Sequence, residues 1–98
     1  MRAVYISEKV RDRMNELEIY LTDELKLSRD LAFRKTSMMR NFIHSLGGPM
    51  LYAKCRFREW ATLGYHCATF EKSWIFAYEV LDEVIIVRDM KHGSTLKE

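Results

Sequence analysis

The chain has 98 residues, 48% apolar and 31% charged, which is enough apolar chain for one core and too much for a disordered segment. A formal net charge of +2 gives no sign of a broadly polycationic nucleic-acid binder, and no run approaches the roughly 18 apolar residues of a membrane span. One Pro and four Gly leave no linker or low-complexity stretch, so residues 1–98 read as a single domain. Residues 2–6 alternate and carry Val4, Tyr5 and Ile6, the pattern of a short first strand. Ser7 is an N-cap, and Val10, Met14, Leu17, Leu21 and Leu25 form one apolar stripe on a helix over 8–25. Ser28 opens a second helix whose apolar side carries Ala32, Phe33, Met39, Phe42, Ile43 and Leu46. Gly47-Gly48-Pro49 ends it, with glycine as a left-handed cap. The short joint at Lys26-Leu27 folds the two helices into an antiparallel hairpin.

The period then changes. Residues 53–58 alternate small or apolar with basic, which predicts a strand with one wet face. Gly64 breaks that run. Residues 65–70, 74–80 and 84–90 read as three more strands joined by turns at 71–73 and 81–83. The first strand, the two helices and the three hairpin-linked strands at 65–70, 74–80 and 84–90 give the order β-α-α-β-β-β. It predicts an α+β fold with the helical hairpin packed on one face of a twisted, mainly antiparallel sheet. The expected core is Met14, Leu17, Leu21, Met39, Phe42, Ile43, Ile75, Ala77, Val84 and Ile86, with a buried ring and hydrogen-bonded hydroxyl at Tyr78.

The charge is unevenly spread. Residues 26–40 hold five basic side chains against Asp30, and residues 50–72 hold Lys54, Arg56, Arg58 and Lys72 against Glu59 and Glu71. Local basic surface of this kind suits phosphate, although a solvated face explains it equally well. Met1 to Ile6 lacks the apolar stretch of a signal peptide, so a cytoplasmic location is expected. Cys55 and Cys67 are expected to be reduced and partly buried there, the alternative being a disulfide between them. Cys55, His66 and Cys67 lack metal-ligand spacing, and no phosphate loop or nucleophile motif is present, so neither metal nor cofactor is expected.

The opening strand, the helical hairpin ending at Leu46-Gly47-Gly48-Pro49, the strand Trp74-Ile75-Phe76-Ala77-Tyr78-Glu79-Val80, the acidic turn Asp82-Glu83, the strand Val84-Ile85-Ile86-Val87-Arg88 and the His92-Gly93 end together resemble the RelE/ParE toxins of bacterial toxin–antitoxin pairs. The likeness runs over nearly the whole chain. It implies a toxin whose partner is a cognate antitoxin and that inhibits growth by cleaving messenger RNA on the ribosome, the alternative being a poison of DNA gyrase, with no membrane and with a homodimer as a further form. In an RNA-cleaving member, a 2′-hydroxyl loses a proton, attacks phosphorus and expels an oxygen that must be protonated. The resemblance puts His92 and Arg88 in the catalytic roles, and Lys54, Arg56, Arg58 and Lys91 on the nucleic acid. Arg56, Arg58, Arg88, Lys91 and His92 are expected to converge on one concave face of the sheet.

One departure bears on the choice of target. The nucleases of this family commonly carry an arginine after the aromatic residue that opens the next-to-last strand, and here Trp74 is followed by Ile75. The His92-Gly93 end is as much like the gyrase poisons, which perform no chemistry. A fold relative that only pairs with an antitoxin is the third reading.

Overall fold

The computed structural model describes residues 2–96. Its elements are β1 (Ala3–Ile6), α1 (Glu8–Asp23), α2 (Arg29–Ser45), the short α3 (Arg58–Ala61), β2 (His66–Phe70), β3 (Trp74–Leu81) and β4 (Val84–His92). A single 3-10 turn follows at Gly93–Thr95. The sheet order is β1-β4-β3-β2. β2, β3 and β4 form an antiparallel meander, as short hairpins require, and β1 lies parallel to β4. The sheet is therefore mixed, and the first strand sits beside the last.

Both N-caps fall where serine announced them. Ser7 Oγ accepts from the Val10 amide at 3.3 Å, and Ser28 Oγ accepts from the Leu31 amide at 3.1 Å. Gly47 works differently from the expectation. Its φ is not left-handed; instead, its backbone runs against β1, with the Arg2 amide donating to its carbonyl at 2.9 Å. A Cβ at Gly47 would collide with the Arg2 carbonyl oxygen, so the position needs glycine for close approach.

Both faces of the sheet are covered. On one, Val10, Met14, Met39, Ile43 and Leu46 of the helical hairpin bury Phe76, Tyr78, Ile85, Val87 and Met90. On the other, Cys55 and Trp60 pack on Ile75 and Ala77. β3 is apolar in both phases because it is central and buried on both sides.

Three more expectations change. Residues 53–58 are not a strand. They make one bridge, Lys54 to His66, and Arg58 already begins α3. The alternation there was real, since Cys55 and Phe57 both face the smaller cluster, but the segment crosses over the sheet instead of extending it. In β4 the buried phase is Ile85 and Val87, while Val84 and Ile86 are only half-buried. The strand is apolar in both phases, and its register with Tyr78 and Val80 decides between them. Finally, Cys55 and Cys67 are joined in a disulfide, not reduced. No helix among the described residues is long and apolar enough to cross a membrane.

Candidate functional site

The chemistry-bearing side chains gather where β1 stops and β4 continues. The last β1–β4 pair is Ile6 with Val87, so the edge of β4 beyond it is open to α1 on one side and α3 on the other. A bulge falls at this point: Ala77 pairs with Asp89 and Tyr78 with Val87. Asp89 is 5% exposed and reaches both layers. Its Oδ2 accepts from Lys9 Nζ at 3.1 Å and from the Trp60 indole N–H at 3.3 Å. Its Oδ1 accepts from the Met90 amide at 2.8 Å and lies 3.4 Å from Arg13 Nε. Lys9 and Arg13 are four apart on α1 and so share a face. Sequence reasoning missed this node. Its signal was an acid inside an otherwise apolar strand, together with two cations one helical turn apart.

Two hollows flank the end of β4. The first, about 570 Å³, lies between α1 and the sheet and is lined by Arg13, Leu17, Tyr20, Trp74, Lys91 and His92. The His92 ring meets Trp74 edge-on, with centroids 5.3 Å apart. Its Nδ1 accepts the Ser94 amide at 3.2 Å, which places the proton of the neutral ring on Nε2. The second hollow, also about 570 Å³, lies on the other side and is lined by Arg58, Glu59, Leu63, Lys91 and Leu96. Lys91 is ion-paired with Glu59, and its ammonium is 6.0 Å from the centre of the Trp60 ring.

The expected convergence is therefore not found. Trp74 pairs with His92 and Ile75 with Lys91, and paired residues share a face. Trp74 packs toward the helical core and Ile75 toward Trp60, so His92 and Lys91 leave β4 in opposite directions. Lys91 lines both hollows, meeting His92 in the first and Arg58 in the second, while Arg58 and His92 share neither. Arg88 is the residue the bulge inserts. It is held by Glu79 across the strand pair, with Nε and Nη2 at 3.0 and 2.8 Å from Oε1. Lys54 and Arg56 are exposed on the loop before α3.

His66 and Tyr78 have structural roles. The His66 ring stacks on Tyr78, centroids 5.4 Å apart, and its Nδ1 lies 2.7 Å from the Tyr52 carbonyl oxygen, to which it donates. The Tyr78 hydroxyl accepts the Tyr52 amide at 2.9 Å. Together they fasten both backbone groups of Tyr52 to the sheet. Burial pushes the Tyr78 hydroxyl above the ordinary tyrosine value of 10.0, with the Tyr52 amide pulling it partly back.

No family model, curated protein or solved structure matches the chain.

Proposed function

We propose that the chain is the toxin half of a RelE/ParE-type toxin–antitoxin pair, and that it inhibits its target by contact rather than by cleaving RNA. Support for the family reading comes from the order β-α-α-β-β-β that remains when the four-residue α3 is set aside, and from a helical hairpin covering one face of the sheet, both of which the resemblance implies. The observation that carries the mode of action is that the charged groups an RNA-cleaving centre would use are separated and engaged. Arg88 is held by Glu79 and Lys91 by Glu59, and Arg58 and His92 open into different hollows. General acid catalysis with transition-state charge stabilisation needs these groups around one phosphate. A poison that acts by contact needs only a shaped and charged surface.

Ribosome-dependent cleavage is the second reading. What favours it is the first hollow, where Arg13, braced by Asp89, stands in one cleft with Trp74 and His92.

The test is induction of the chain in bacteria, with and without its neighbouring reading frame. Growth arrest relieved by the neighbour, a DNA-damage response and intact messenger RNA are expected, and His92→Ala should leave the arrest unchanged. New RNA ends that vanish in His92→Ala, by about 10²–10⁴ in cleavage rate, would replace contact with cleavage. No growth arrest at all would remove the toxin reading.

A further inference from the structure

The Cys55–Cys67 bridge differs in kind from the rest of the packing. It spans 12 positions, with a Cα–Cα distance of 4.9 Å, and the segment it closes contains α3 and Trp60. Both cysteines belong to the smaller cluster, while the larger core between helices and sheet is assembled without them. The closed segment is a cap. Trp60, 2% exposed, lies on Ile75 and Ala77, its indole is bonded to Asp89, and the neighbouring Glu59 neutralises Lys91. The cap's base is closed internally by the Cys55 amide on the Tyr65 carbonyl, and the Cys67 amide on the Ala53 carbonyl ties it to β2 beside the bridge. The two cysteines are unequally placed: Cys55 is 6% exposed, and Cys67 is partly exposed on β2, an edge strand.

We infer that Cys55–Cys67 is a reversible redox site for a dithiol reductant, and that its reduction releases residues 53–65 as a cap from the outer face of the sheet. A thiolate of the reductant attacks Cys67 Sγ, forms a mixed disulfide and expels Cys55 as a thiolate, which takes up a proton. The second thiol of the reductant then attacks its own sulfur in the mixed disulfide. It frees Cys67 as a thiol and leaves the reductant as an internal disulfide. Two electrons have passed from the dithiol to the cysteine pair. A bridge of this span restricts the opened cap enough that its loss raises the opening equilibrium about 10²-fold. Opening uncovers Ile75 and Ala77 and takes Glu59 from Lys91, so an apolar and cationic surface is masked in the oxidised chain and presented in the reduced one. The inference does not depend on what that surface contacts.

The test compares purified oxidised chain with chain treated with dithiothreitol without denaturant, read by thiol alkylation with mass measurement and by amide hydrogen exchange. Oxidised chain should offer no alkylable thiol and reduced chain two. Exchange within 53–65 should quicken about 10²-fold, while α2 and β3 keep their protection. The double variant Cys55→Ser, Cys67→Ser should exchange like the reduced chain without any reductant. If that variant does not fold, reduced wild type carries the comparison. Two alkylable thiols in air-oxidised chain would overturn the inference, and so would a bridge that yields only in denaturant. Faster exchange throughout the chain would overturn it too, by making the bridge a staple of the whole fold.

Discussion

Asp89 accepts from three donors with two oxygens, Lys9, the Trp60 indole and the Met90 amide, and forms an ion pair with Arg13. The worth of these contacts is uneven. The Lys9 side chain is 57% exposed, so water screens most of its attraction, whereas the indole and the amide lie in buried surroundings and have no easy substitute for the carboxylate. Asp89→Ala should therefore lower stability by about 2–4 kcal/mol, and Asp89→Asn by less, because an amide oxygen can still accept from Met90. Urea midpoints of the two variants check this; equal midpoints for Ala and wild type would show that the node holds nothing. Tyr78 gives a pH signature. Its hydroxyl is raised by burial, so the folded chain holds the proton more tightly than the unfolded one. That contribution is fully present below pH 10 and is lost as pH climbs from about 10 through the folded value. Denaturation midpoints across pH 8–12 should fall in that window, and Tyr78→Phe should flatten the fall while costing about 1 kcal/mol at pH 8 for the lost Tyr52 bond.

Among the elements, the helices were legible almost to the residue, because serine caps and a 3.6-residue apolar period state the same thing twice. The segment 53–58 was not. Alternation reports which side chains turn inward, and Cys55 and Phe57 do, but it cannot report whether the inward side faces a neighbouring strand's layer or the sheet below. β4 shows the same limit: in Val84-Ile85-Ile86-Val87 either phase could be the core, and the pairing with β3 chooses. Glycine at 47 was noticed for the wrong reason, since its neighbour in space is 45 residues away in sequence. The two readings of that glycine separate experimentally. Gly47→Ala should destabilise by about 1–3 kcal/mol through the clash with Arg2, and Gly48→Ala, which meets only the Ser45 carbonyl oxygen at 3.4 Å, should stay within about 0.5 kcal/mol. Thermal melts of the pair measure it, and equal shifts would mean that β1 does not rest on that backbone.

At the scale of the molecule, two clusters of unequal size share one sheet, and they should fail separately. Ile43→Ala, in the larger cluster, should cost about 2–5 kcal/mol of global stability. Trp60→Ala should chiefly speed exchange in residues 53–65, which amide exchange resolves; a loss spread evenly over the chain would make the two clusters one unit. The candidate site was only half legible for a related reason. Lys91, His92 and Arg58 were visible as residue types, but which of them share a hollow depends on where β1 ends against β4, and on α3 crossing the opposite face. The parallel pairing of Ala3 with Val84 has one more consequence, which concerns synthesis. A chain made from its N-terminus has α1 and α2 available early, and they can form from local contacts alone. β1 has no strand partner until β4 has emerged. The sheet therefore closes after translation of its final strand, and the edge where Asp89, Arg13 and His92 stand is assembled last. A nascent chain of this protein carries Arg13 long before Asp89 and His92 have been made, and the site exists only once β4 has joined the sheet.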